Sequence, residues 1–418
     1  MNQVQVRERK KRTKTILVVG GLVAAVLAFA KVFLADVYRV NSGSMRPTIM
    51  GGVDERAEDT LELSEWVLVN YVDPDSVERF DLVVVEADDS SDPLVKRAGG
   101  LAGEQVAIVH GDLLVDGKRL PADTARPAPV LVFDDRFGSL RDEWLFAEPR
   151  WREHPGEWIV DAQDVGSSNY AETLMQLRMD LTDGYLRSDG VYVPGRTQVN
   201  DGILALEAKI DEGDGCVVME LSEEGDLFRA EFRVEGESAR LRILRRNDSI
   251  IRALQENGRH DDLAWEIVHE SPIEFARGSW HRLRFANVDN HLFVRVDGLE
   301  FVESYLVNVP LTNVSLSTRR RSLGTRVRFG ADGVLGHFRR VRVYRDLFWN
   351  ASGDYGVKTP YQLGRDEIFV LGDNSTYSTD SRTFGAVPLR EVVGQPVAVV
   401  WPPDRARSLD GAEAEDED

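Results

Sequence analysis

Apolar and polar positions alternate in three different styles along this chain. The first is a basic cluster, Arg7, Arg9, Lys10, Lys11, Arg12 and Lys14, followed by an uncharged run from Thr15 to Ala30. Beyond Lys31 the apolar character resumes through Val32, Phe33, Leu34 and Ala35. A membrane span takes about 20 residues, and residues 15–35 supply that length if Lys31 snorkels toward the interface. The basic flank predicts an amino terminus on the inner side, with everything beyond residue 36 on the far side. A cleaved secretory segment is the rival reading, because Ala28-Phe29-Ala30 places small residues at the cleavage-determining positions. Continued apolar sequence after Lys31 favours a retained anchor.

The second style, from Val40 to Leu120, consists of short β-branched runs between turns. Residues 65–69, 81–85 and 105–109 read as strands, and Leu94 to Lys96 open another. Asp112 to Lys118 reads as a strand entering an Asp116-Gly117 hairpin turn. A Pro/Ala-rich stretch, residues 121–129, has linker composition. The third style follows, with strands expected at 202–210, 215–221, 227–234, 239–244, 280–285 and 291–296 and a second turn at Asp297-Gly298. That spacing predicts an antiparallel sandwich. The stretch from Leu254 to Asp262 reads as a loop or a short helix. The second style returns at residues 367–371 and 396–400, and the end, Ala412 to Asp418, is acidic and disordered in character.

The expected fold is therefore mainly β, with an N-terminal transmembrane helix, one β domain split by a long insertion, and an inserted antiparallel sandwich of jelly-roll type. Its expected boundaries are a basic tail at 1–14, an anchor at 15–35, β halves at 36–120 and 350–403, the insert at 125–346, and an acidic tail at 404–418. Surface loops accept such insertions because closure entropy grows slowly with length.

Composition narrows the function. Of 418 residues, 42% are hydrophobic and 29% charged, a globular balance too long for one ordinary core. The net charge of -20 argues against a nucleic-acid surface, which needs clustered Lys and Arg. Cys216 is the only cysteine, so no intrachain disulfide forms.

Ser44 offers a hydroxyl nucleophile just beyond the apolar segment, and none of the 7 histidines lies near it in sequence. Lys96 instead opens an apolar β segment. Burial disfavours its charged form, and a neutral amine can take the proton of a serine. The polar segment from Gly372 to Arg382 is a candidate to orient that amine.

Four segments in order resemble bacterial type I signal peptidases, membrane proteases with a Ser-Lys dyad. Ser42-Gly43-Ser44-Met45-Arg46-Pro47-Thr48-Ile49 is similar to that family's nucleophile box, and Val95-Lys96-Arg97-Ala98-Gly99-Gly100-Leu101-Ala102-Gly103-Glu104 to its lysine box. Gly372-Asp373-Asn374 with Ser378-Thr379-Asp380-Ser381-Arg382 is similar to its late box, and Phe384-Gly385-Ala386-Val387-Pro388 with Val393-Gly394 continues the pattern. The resemblance implies Ser44 as acylating nucleophile and Lys96 as general base. It implies an oxyanion hole from the Ser42 hydroxyl and the Ser44 N–H, with Ser378 orienting Lys96. Asp380 and Arg382 become an ion pair that supports the late loop, and Met45 and Pro47 shape a substrate groove. No metal or organic cofactor is implied.

Three departures stand out. Ser375-Thr376-Tyr377 replaces the family's Arg-Asp-Asn, Glu65 stands near a usual Asp, and Gly99 and Ala102 replace a larger aliphatic residue and a proline.

The implied activity is removal of signal peptides from exported preproteins at the cytoplasmic (inner) membrane. The protein would be single-pass, with its catalytic domain on the extracytoplasmic side. The implied partners are preprotein signal peptides with small residues at -1 and -3, and the lipid bilayer. The alternative is a catalytically inert, membrane-tethered module that binds a glycan or a protein. The insert resembles concanavalin-like or laminin-G-like domains at the level of pattern, which leaves a carbohydrate or protein ligand open. Trp158 and Trp280 read as core rather than sugar platforms, and Arg319-Arg320-Arg321 as a solvated turn. Asp134, Asp135, Asp201 and Asp211 offer calcium-type ligands without a diagnostic loop.

Overall fold

The computed structural model describes residues 35–54, 61–86, 92–147, 150–164, 173–223, 226–247, 265–305 and 326–409. The expected anchor lies outside the described residues except for Ala35, which begins a strand, Ala35–Arg39. The stretch 254–262, the arginine run 319–321 and the acidic end at 412–418 also lie outside them. Among the described residues, no helix is long and apolar enough to cross a membrane.

The chain is mainly β, and it divides into two compact units. One takes the chain up to Ala107, Val115–Gly117 and everything from Ser352 on; the other takes Ile108–Leu114 and Lys118–Ala351.

The first unit is built on an eight-stranded sheet in which early and late parts of the chain interleave. Val392–Trp401 lies between Trp66–Tyr71 and Leu82–Val85, and Glu367–Leu371 lies beside Leu94–Gly100. Every pairing in this sheet is antiparallel. The sequence explains the positions. All four residues of Leu82–Val85 are buried, as a continuous apolar run requires in a central strand. In Trp66–Tyr71, Val67 and Val69 are buried while Trp66 and Asn70 face outward, the alternation of a strand with one solvated face.

The second unit is a sandwich of two antiparallel sheets. One has the order Trp151–His154, Glu157–Asp161, Leu335–Arg345, Gly202–Glu212, His281–Val288, His291–Val296, Leu299–Ser304, with Val130–Asp134 also pairing on Leu335–Arg345. The other has the order Trp144–Leu145, Leu174–Leu177, Val327–Asp332, Gly215–Glu223, Asp226–Glu235, Ser238–Asn247, Glu266–Pro272. The six strands expected from sequence in this region are all present, with ends displaced by a few residues. Those at Val130–Asp134, Trp151–His154, Glu157–Asp161, Val327–Asp332 and Leu335–Arg345 escaped sequence reading.

Within Asp226–Glu235, Phe228, Ala230, Phe232 and Val234 enter the core, while Arg229, Glu231 and Arg233 pair on the other face. Both Asp-Gly turns form as the sequence predicts. Asp116 and Gly117 take φ of 50° and 73°, and Asp297 and Gly298 take 48° and 92°. Positive φ at both central residues matches the strand twist, and Asp and Gly tolerate it best.

The sandwich core centres on Phe329, with Trp144 edge-on at 5.0 Å and Phe338 at 5.1 Å. Both rings, and Phe329 itself, are fully buried. Phe329→Ala is expected to lower the unfolding free energy of this unit by roughly 3–5 kcal/mol, read from denaturant titration of the full chain.

Candidate active site

Lys96 lies on Leu94–Gly100, a strand hydrogen-bonded on both sides, and its register partner is the fully buried Val83. Its side chain is only 2% exposed. Desolvation lowers the amine to about pKa 8; the Asp380 and Asp373 carboxylates oppose that shift, and the Arg382 charge adds to it. Nζ stands 2.6 Å from Ser44 Oγ, its hydrogen-bond partner.

Ser44 sits on a short 3-10 turn, Gly43–Met45. Two apolar anchors fix this turn. Met45 and Ile49 are wholly buried in a cluster with Val67, Val69 and Val84. This corrects the expectation for Met45: it does not line a groove but pins the nucleophile turn to the core. From the other side Asn374 donates its backbone N–H to Ser44 O at 2.9 Å and its Nδ2 to Gly43 O at 2.8 Å. Gly372 must be glycine here, because a Cβ would come within 2.1 Å of Ser378 Oγ and 2.7 Å of Ser44 O.

The Ser42 and Ser44 hydroxyls lie 3.2 Å apart, so Ser42 stands beside the nucleophilic oxygen. Asp380 and Arg382 form a fully buried pair, with Nε on Oδ1 at 2.9 Å and Nη2 on Oδ2 at 2.8 Å. Asp380 Oδ2 also accepts the Gly372 N–H at 2.9 Å, which ties the pair to the glycine behind Ser44. Ser378 departs from expectation. Its Oγ is buried and makes no hydrogen bond, so the bond to Lys96 implied by resemblance is not formed in this structure.

Sequence reading missed a second buried pair. Arg97 grips Asp373 through Nε at 2.8 Å and Nη2 at 2.6 Å, and Thr48 Oγ1 donates to the same carboxylate. The nucleophile segment, the lysine strand and the late segment therefore meet on one aspartate. The available clue was an Arg adjoining Lys96 on an apolar strand and an Asp two residues beyond the apolar strand Glu367–Leu371.

This is a hydroxyl held against a desolvated amine, an arrangement in which the amine, once neutral, can accept the hydroxyl proton. The description "Signal peptidase, peptidase S26" belongs to a family model that matches residues 12–131 and 345–401. These two segments are similar to that family. It is 44% identical over 54 residues to mitochondrial inner membrane protease subunit 2 of Saccharomyces cerevisiae, covering 12% of this chain and 30% of that protein. It is 31% identical over 113 residues to signal peptidase I of Bacillus caldolyticus, covering 27% and 55%. The chain thus spans from under a third to about half the length of these curated relatives. Among solved structures it is similar to a carbohydrate binding module, CBM66, from Bacillus subtilis, at 8% identity and TM-score 0.29 over 48% of this chain and 95% of that one.

Two departures from the signal peptidase pattern acquire a structural account. Glu65 is buried, accepts the Met50 N–H at 3.0 Å and pairs with Arg407 at 2.9 Å. Arg407 Nη2 also donates to Thr48 O at 2.7 Å, so this carboxylate braces the nucleophile segment from the carboxyl-terminal end. Ser375 accepts from the buried Arg382 at 2.6 Å through Oγ and 2.9 Å through its carbonyl. The late segment is therefore cross-linked internally without the family's Arg-Asp-Asn.

Outside this site the four expected calcium-type aspartates separate. Asp134 pairs with Arg136, Asp135 accepts the Val341 N–H, and Asp211 faces Lys209 and His337. Asp201 instead clusters with Asp112 and Asp289, all three offering oxygens within 4.8 Å of one another. Arg119 and Arg126 already pair with Asp112 and Asp289. Burial, then neighbouring carboxylates, pushes Asp201 well up, and Asp346 beside it up to about 7, so protons relieve this crowding. Trp158 belongs to the core, whereas Trp280 is half-buried under the Arg339 guanidinium at 4.0 Å.

Breaking the Arg97–Asp373 pair from one side strands a buried charge. Asp373→Asn is expected to cost about 3–5 kcal/mol of unfolding free energy in denaturant titration. Adding Arg97→Met is expected to restore part of that loss.

Proposed function

We propose that this chain is a membrane-anchored serine endopeptidase that removes signal peptides from exported preproteins through an acyl-enzyme. The observation that carries this reading is the buried Lys96 amine, lowered to about pKa 8, at 2.6 Å from the Ser44 hydroxyl. Once neutral, the amine accepts the Ser44 proton as Oγ attacks the scissile carbonyl. The ammonium then protonates the leaving amine, and the recovered base activates the water that releases the acyl group.

The tetrahedral oxyanion is received by the Ser42 hydroxyl and the Ser44 N–H, whose positions on one tight turn make them preorganised donors. Ser378 serves the Lys96 amine during turnover, since its buried hydroxyl has no other partner. Asp380 and Arg382 hold the loop that carries it. The substrates are preproteins with small residues at -1 and -3. The apolar run that ends before the strand at Ala35 anchors the chain in the cytoplasmic membrane in a single pass, with the catalytic unit outside. The membrane setting is supported by the apolar run in the sequence and by the mitochondrial inner membrane relative.

The test is cleavage of a model preprotein by the full chain in detergent. Ser44→Ala is expected to abolish cleavage, and Lys96→Ala to slow it by at least about 10²–10⁴-fold. Ser42→Ala is expected to lower kcat by roughly 10²–10³-fold. Absence of cleavage by the wild-type chain would overturn the reading in favour of an inert binding module, and unimpaired cleavage by Ser44→Ala would overturn Ser44 as the nucleophile.

The pH profile follows from the sign of the lysine shift. The base works only when neutral, so kcat/KM is expected to rise with pH and level off above about pH 8. An unperturbed lysine would defer that plateau to about pH 10.4.

A further inference from the structure

The Arg382 guanidinium is 1% exposed, which makes every one of its N–H groups dependent on a protein acceptor. Asp380 satisfies Nε and one Nη2 bond. Ser375 adds two more, its Oγ accepting from Nη1 and its carbonyl accepting from Nη2. Ser375 is itself buried and opens the short turn Ser375–Tyr377 that leads into Ser378. From Arg382 the contacts run through Asp380 to the Gly372 N–H, and Gly372 abuts both Ser378 Oγ and Ser44 O.

We propose that Ser375 is a positioning residue for the Ser44–Lys96 pair, seating the Arg382 guanidinium against Asp380 behind the glycine that abuts Ser44. This rests on the Ser-Lys reading above and names a residue beyond it, since the family pattern puts an arginine at this position. The charges facing Lys96 are Asp380, Asp373 and Arg382, with Arg97 engaged on Asp373. Arg382 favours the neutral amine and Asp380 the charged one. If Ser375 loses its hydroxyl, Nη1 loses its bond to Oγ and the guanidinium shifts from its seat. Asp380 is then less compensated, and the neutral amine becomes scarcer at a given pH.

The experiment compares pH profiles of kcat and kcat/KM for wild type, Ser375→Ala and Ser375→Thr, using the full chain in detergent and a model preprotein. Thermal melts accompany each variant. Ser375→Ala is expected to lower kcat at neutral pH by roughly tenfold, as loss of a hydrogen bond to a buried charged group implies. It should leave KM little changed and move the rising limb to higher pH, and Ser375→Thr should restore both. An unmoved limb in Ser375→Ala overturns the proposal, whether or not the variant melts earlier, because a purely structural role changes the amount of folded enzyme and not its titration. Failure of threonine to rescue also overturns it. Failure of the Ser-Lys reading would appear separately, as undiminished cleavage by Ser44→Ala.

Discussion

The first unit is organised around one constraint: an amine must stay out of water within hydrogen-bond reach of a serine hydroxyl. Lys96 meets it from a central strand, Ser44 from a turn pinned by Met45 and Ile49, and neither element reaches the other without the late segment behind them. The arrangement has a thermodynamic consequence. The folded pKa lies below the unfolded one, so the folded state is penalised wherever the amine is charged, below about pH 8. The penalty fades as pH rises from about 8 toward the unfolded value and is gone above it. A shift of this size corresponds to roughly 3 kcal/mol, which the buried pairs Arg97–Asp373 and Asp380–Arg382 do not offset by their charge alone. Their contribution is geometric: Arg97–Asp373 joins segments far apart in sequence, and Asp380–Arg382 braces the late segment from within.

Topology shows why those segments must all be present at once. Val392–Trp401 separates Trp66–Tyr71 from Leu82–Val85, so the early strands cannot close their sheet before the chain has returned. The excursion between lysine strand and late segment holds a sandwich with its own aromatic core, in which hairpin neighbours pair locally while Leu335–Arg345 and Val327–Asp332 pair across most of the insert. Local pairing of this kind needs little loop closure, which makes such an insert tolerable to its host.

Legibility from sequence followed the range of the interaction. Both Asp-Gly turns and six sandwich strands were readable because a turn or an alternating run is specified by neighbours. Ser44, Lys96 and the Asp380–Arg382 pair were readable because short segments carry them in a family pattern. Arg97–Asp373 was not: its partners are 276 positions apart, and only strand register brings them together. The cluster of Asp112, Asp201 and Asp289 was hidden for the same reason, while the expected companions of Asp201 turned out to have arginine, backbone or histidine partners elsewhere. Met45 was misassigned because position beside a nucleophile says nothing about which way a side chain points.

The late segment shows how a departure from a pattern can preserve its function. The sequence lacks the Arg-Asp-Asn that the resemblance leads one to expect, and from residue types alone that reads as a missing polar network. The structure holds a smaller one. A buried guanidinium needs acceptors in its plane, and a serine whose hydroxyl and carbonyl both reach it supplies two without adding a charge. A second cation at position 375, packed against Arg382 in a space this dry, would need its own anion. The residues that follow, Thr376 and Tyr377, offer none. The neutral, short side chain at 375 and the neutral residues after it are thus one consistent solution, and Asp380 remains bound to a single arginine on the side facing Lys96.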